Sequence, residues 1–230
     1  MRVRSLENEK TDKKYSYIKS GNFYELFWIF MLGSMVGAVF EFVWGAIVRN
    51  DWNFYSSTVW GYFTVIYGFG AICISVIYRF IKHKHVVYQF FVYLIGGTAV
   101  EFICGIFQER VFGSVSWDYS EMPFNIGGRI SLGMALVWGL LGIGFARFVY
   151  VPLSNALTRL NGKAGYILTI CMLVFMILNL IMTFIALERW QDRVEGIAAK
   201  NKFEEAIDCI YTDERMANTY RIDFINSDEK

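Results

Sequence analysis

Five apolar runs divide the chain. They are Leu26 to Val48, interrupted by Glu41; Val59 to Tyr78, without charge; Val86 to Phe107, interrupted by Glu101; Ile130 to Val151, interrupted by Arg147; and Ala164 to Leu187, without charge. Each lies near the roughly 20 residues that a helix needs to cross the hydrocarbon of a bilayer. The pattern predicts an all-α fold, a polytopic membrane helix bundle of about five transmembrane helices over residues 23–187, with the lipid bilayer as its first partner. A polar segment, 1–22, precedes the bundle. It is too long for the n-region of a signal peptide, and the run that follows is longer than an h-region and lacks a small-residue cleavage site, so the first span is expected to stay as an anchor. A polar tail, 188–230, follows. Within it Phe203, Ile207 and Ile210 recur at helical spacing among Glu204, Glu205 and Asp208, which predicts a short amphipathic helix packed on its own protein or on the lipid surface.

Composition agrees with the pattern, since 55% hydrophobic and 18% aromatic residues with only two prolines are too apolar for an ordinary soluble domain of 230 residues. The net charge of +1 leaves no basic excess to attract nucleic acid. Local charge sets direction. The N-terminal segment and the second and fourth loops carry twelve Lys and Arg, against three in the first and third loops, so the N-terminus is expected in the cytoplasm. Five spans then put the tail outside, although it carries seven basic residues among eleven acidic ones. Cys73, Cys104 and Cys171 lie in apolar runs and Cys209 in a polar stretch, so packing is expected of them rather than a disulfide or metal role.

The first four spans contain a repeat. Gly37, Glu41, Phe42 and Gly45 read G-x-x-x-E-F-x-x-G, and Gly97, Glu101, Phe102 and Gly105 read the same at an offset of 60. Each copy leads through an aromatic loop, Trp52 to Ser56 or Trp117 to Ser120, into a returning helix. The first four spans are thus expected to form two parallel helical-hairpin repeats related about the membrane normal. Glu41 and Glu101 fall at similar depth in the outer half. An acid in a span costs roughly 2.5–3.5 kcal/mol on the insertion scale, and it therefore faces the bundle interior with a partner. The third loop, 108–129, is longer than a helical connection needs and carries Asp118, Asn125 and Arg129. These five residues, Glu41, Glu101, Asp118, Asn125 and Arg129, are the expected substrate-binding set, converging on one outer vestibule. Because Arg129 ends the loop that follows the third span, it is expected to pair with Glu101 and leave Glu41 as the open site.

Other chemistry is missing from the pattern. Asn161-Gly162-Lys163-Ala164 lacks the earlier glycine and the hydroxyl residue of a phosphate-binding loop, so any ATP hydrolysis belongs to another chain. His83 and His85 flank Lys84 without a third ligand type nearby, and no metal site or other cofactor is expected. No hydrolase or metalloprotease motif occurs, and the chain is not expected to be an enzyme.

Trp117-Asp118-Tyr119-Ser120, then Pro123-Phe124-Asn125-Ile126 and Gly128-Arg129-Ile130, form a long and unusual run. With Glu41, Ile66 to Ala71, Glu101 and Trp138-Gly139, the run resembles the bacterial ABC-transporter permease family of the CmpB-like, type IV group over about residues 23–190. Two departures stand out: Gly61 to Val65 replaces the proline-containing steps usual before the Ile-Tyr-Gly element, and Ser131 replaces a common cysteine. The resemblance implies a permease-like membrane protein, and it attaches no substrate. Five spans are few for a solitary transporter, so transport implies a homodimer or a separate ATPase subunit. The alternatives are a non-transporting scaffold or sensor, in which the acids only lock the hairpins, and, third, an intramembrane enzyme on a lipid-linked substrate.

Overall fold

The computed structural model describes residues 23–157 and 162–224. The basic segment 1–22, expected in the cytoplasm, lies outside these residues. The described residues form seven helices: α1 (Phe23–Arg49), α2 (Val65–Ile81), α3 (Val86–Phe112), α4 (Leu132–Leu157), α5 (Lys163–Val194), α6 (Lys202–Ile210) and α7 (Asp213–Thr219). The last turn of α1, Gly45–Arg49, and an inner stretch of α4, Phe145–Tyr150, are π-helical. Two short strands, β1 (Ser114–Val115) and β2 (Asp223–Phe224), pair antiparallel with Ser114 opposite Phe224.

Helices α1, α3, α4 and α5 are long and apolar enough to cross a membrane. This is a multi-pass membrane protein. Helix α2 is apolar but has 17 residues, about 25 Å at ~1.5 Å per residue. It begins six residues later than the apolar run does, at Val65 rather than Val59, because the backbone of 59–64 finds partners elsewhere. Asn179 of α5, fully buried, accepts from the Trp60 amide at 3.1 Å and donates to its carbonyl at 2.7 Å. Thr183 Oγ1 accepts from the Val59 amide, Ser56 Oγ accepts from the Phe63 amide, and the Thr64 amide donates to the Ser34 carbonyl. Non-helical backbone at this depth is tolerated only when other protein groups satisfy it in this way.

The chain runs back and forth between two ends. At one end Glu25 of α1 meets Arg79 of α2 and Tyr150 and Ser154 of α4. At the other, Glu41 of α1 meets Tyr67 near the start of α2. Helix α5 starts beside α1, where the Trp28 indole donates to Thr169 Oγ1 at 2.9 Å, and in its second half Asn179 and Thr183 lie beside residues 59–60. The tail consequently lies at the same end as the 50–64 and 113–131 segments.

The tail is not a loose appendage. Helix α5 runs on to Val194, past the expected end at Leu187, and Leu187 and Trp190 pack with Ile207, Tyr211, Met216 and Tyr220. Strand β2 holds the tail to the segment after α3, and the Ser56 amide donates to the Thr219 carbonyl. The expected amphipathic helix is α6, but only Ile207 of its apolar stripe is buried, with Phe203 and Ile210 exposed.

Close helix approach follows one scheme in both hairpins. A Cβ on Gly68 would press on the Phe30 ring, and one on Gly139 would stand 2.5 Å from the Phe90 ring. A Cβ on Gly37 would enter Tyr67, and one on Gly97 would come 2.6 Å from Trp138. Lipid offers no hydrophobic drive for helix association, so backbone proximity of this kind supplies much of the cohesion. Gly97→Ala should accordingly destabilise the protein by about 1–3 kcal/mol, the usual range for overpacking. Gly105→Ala is the control, because its Cβ would meet Arg129 and Trp117 at an ordinary 3.6 Å. Thermal unfolding in detergent should separate the two, with Gly105→Ala neutral or stabilised.

Candidate functional site

Glu101 projects from the middle of α3 and is 3% exposed. Its two carboxylate oxygens take different donors. The Trp138 indole of α4 donates to Oε2 at 3.0 Å, and the Tyr119 phenol donates to Oε1 at 2.9 Å. Both donors are neutral. No ion pair involves Glu101 among the described residues. Burial and the nearby Glu101 carboxylate push the Tyr119 phenol well above its ordinary value, so it stays a donor through the physiological range.

Glu41 occupies the matching place in the first hairpin with a different charge balance. Its Oε1 accepts from the Tyr67 phenol of α2 at 2.8 Å, and its Oε2 lies 3.7 Å from the Arg49 guanidinium, one side of the π-helical end of α1. Its side chain is 38% exposed. The Tyr67 ring lies against that of Trp138, with centroids 5.9 Å apart. A continuous line of groups therefore crosses the bundle, from Arg49 through Glu41, Tyr67, Trp138 and Glu101 to Tyr119.

The remaining three expected residues do not enter that line. Arg129 pairs with Glu109 rather than Glu101, because Glu109, two turns further along α3, lies at the level of the loop from which Arg129 projects. Asp118 is exposed and accepts from the Ser120 amide and hydroxyl, bonds that hold its carboxyl below the usual range. Asn125 donates to the Ser120 and Met122 carbonyls and accepts from the Gly128 amide. With Trp117, whose indole donates to the Arg129 carbonyl at 2.9 Å, these contacts fold the 113–131 loop into a brace. The brace delivers Tyr119 to Glu101. The expectation that Arg129 would neutralise Glu101 and leave Glu41 open is reversed, since Glu41 is the acid near a cation.

The family model described as "Putative ABC-transporter type IV" matches residues 28–184. The chain belongs to this family. The match begins in α1 and ends in α5, so it contains both hairpins, the Tyr119 loop and the whole line from Arg49 to Tyr119, while α6, α7 and β2 follow it. No solved structure matches the chain. Within this type IV member, Tyr67, Tyr119 and Trp138 are the members of the line from Arg49 to Tyr119 that a search for charges inside apolar runs does not find. The signal was present, since all three stand in the runs that carry the family resemblance, but aromatic residues near a bilayer surface default to anchoring.

Proposed function

We propose that the chain is a permease-like membrane subunit in which Glu101 binds a proton or a small cation. The supporting observation is a carboxyl 3% exposed, inside an apolar helix, satisfied on both oxygens by neutral donors alone. Such an acid is costly in a bilayer, and intramembrane acids mark ion and proton pathways. Glu41, Asp118, Asn125 and Arg129 take supporting parts. Glu41 carries the pathway on toward the exposed edge, and the other three hold Tyr119 over Glu101 as a removable donor. The bias of basic residues puts the N-terminus in the cytoplasm of a cell-membrane protein and the Tyr119 loop outside. Residues 23–144 are a duplicated hairpin, a reading supported by the paired Gly37–Tyr67–Glu41 and Gly97–Trp138–Glu101 contacts. ATP hydrolysis, where it drives the process, is supplied by a separate ATPase, and the chain itself is not an enzyme.

The scaffold reading keeps one observation in its favour, the saturation of both Glu101 oxygens within the protein. Proteoliposomes with an internal pH dye distinguish the two. Under imposed proton or sodium gradients, Glu101→Gln should reduce flux to the level of empty vesicles, while Glu41→Gln, which removes the acid beside Arg49, should reduce it partially. Flux through Glu101→Gln equal to that of the unaltered protein would sink the transport reading and leave the scaffold ahead.

A further inference from the structure

At the end opposite the tail, α3 and α4 line an apolar groove of about 370 Å³, formed by Val86, Val87, Phe90, Phe91, Leu140 and Ile143. Phe91 and Leu140 are 54% and 66% exposed, so the groove faces the lipid rather than the bundle core. Its rim carries one sign of charge. Lys84 and His85 are exposed and immediately precede Val86, and Arg147 follows Ile143 by four residues, about one helical turn, in the π-helical stretch of α4. Arg147 is exposed, and its guanidinium makes no hydrogen bond or ion pair among the described residues. No acidic residue occurs in 82–91 or 140–150. The His85 Nδ1 accepts from the Val87 amide, which fixes the imidazole at the helix start with its other nitrogen free to face outward.

An uncompensated arginine on the lipid face of a spanning helix is expensive unless its head reaches an anion at the interface. The apolar trough beneath it has the chemistry of a hydrocarbon chain, and the rim has that of a phosphate. We propose that this groove binds one anionic phospholipid, an acyl chain lying along Phe90, Phe91 and Leu140 and the phosphate held between Arg147 and the Lys84–His85 turn. A neutral lipid fills the trough equally well and gains less at the rim, because basic side chains at a membrane surface attract an anionic headgroup.

The test is native mass spectrometry of the full chain in neutral detergent, with phosphatidylglycerol and phosphatidylcholine of identical chains. The unaltered protein should retain a single phosphatidylglycerol about tenfold better than phosphatidylcholine. Arg147→Gln should bring the two within about twofold while leaving retention of phosphatidylcholine intact. Leu140→Trp, at a lipid-facing position where folding is little affected, should reduce both by filling the trough. Should Arg147→Gln fail to fold, Lys84→Gln with His85→Gln lies outside the helices and should lower the preference in the same direction. Equal retention of both lipids by the unaltered protein overturns the proposal, and so does a full preference surviving Arg147→Gln or the loop pair. Glycerol 3-phosphate competing as well as the intact lipid would overturn the role of the trough.

Discussion

Replacing Arg189 by alanine detaches the tail from the bundle at a cost of about 3 kcal/mol, the lower end of the range for breaking a buried ion pair. Arg189 is 4% exposed at the tail end of α5. Its guanidinium grips Asp208 of α6 with two bonds, of 3.1 and 2.7 Å, and takes Asp192 at 2.8 Å and Glu204 at 3.7 Å. The lower end applies because Arg193 still reaches Asp208, Asp213 and the Tyr211 carbonyl after the change. The bonds from Arg189 and Arg193 hold the Asp208 carboxyl below its usual value. A depressed carboxylate contributes stability above its unfolded value, about 3.9, and loses it as pH falls through the lower folded value. Docking of α6 and α7 should therefore be constant from neutral pH down to about 4 and weaken below that. Hydrogen exchange of 202–219 checks both claims: Arg189→Ala should speed exchange there at pH 7, and acid should do the same to the unaltered protein.

Glu25→Leu should destabilise the bundle by about 3–5 kcal/mol through the opposite end. The Glu25 side chain is 1% exposed and ties three helices together. Arg79 of α2 donates to Oε2 at 3.2 Å, while Tyr150 and Ser154 of α4 donate to Oε1 at 3.3 and 2.6 Å. Removing the carboxylate strands a guanidinium that is only a quarter exposed and leaves two hydroxyls without their acceptor. Glu25→Leu with Arg79→Leu should regain most of the loss, because a well-packed apolar pair replaces a buried ion pair at little cost. Thermal unfolding of the single and double variants tests this, and a double variant as unstable as Glu25→Leu alone would show that the pair is not the cause.

The bundle was legible because bilayer thickness imposes a length on every apolar run, and the runs around Glu41, Glu101 and Arg147 became α1, α3 and α4 within a few residues at most boundaries. The late start of α2 was not legible. It depends on Asn179 and Thr183, some 120 residues away, satisfying the backbone of 59–60, and neither side chain is distinctive in a hydropathy profile. The docking of the tail was hidden for a related reason, since Arg189 looks like an ordinary helix-end cation until Asp208 is folded onto it. At the site, the acids were visible as charges inside apolar runs. Their partners were not. Arg129 ends the loop that follows the span of Glu101 but pairs with Glu109, and the actual donors are the neutral groups of Tyr119 and Trp138, which charge counting does not register.

Carbodiimide labelling tests most directly the claim that Glu101 is a proton-exchanging acid within the membrane. Dicyclohexylcarbodiimide adds to protonated carboxyl groups in apolar surroundings, and peptide mass spectrometry locates the adduct. In membranes at a series of pH values, Glu101 should be labelled, more slowly as pH rises, and faster in Tyr119→Phe, which removes the phenol covering Oε1. Glu41, beside Arg49, should be labelled far less. Absence of an adduct at Glu101 across the pH range in Tyr119→Phe, or an adduct confined to Glu41, would contradict the account.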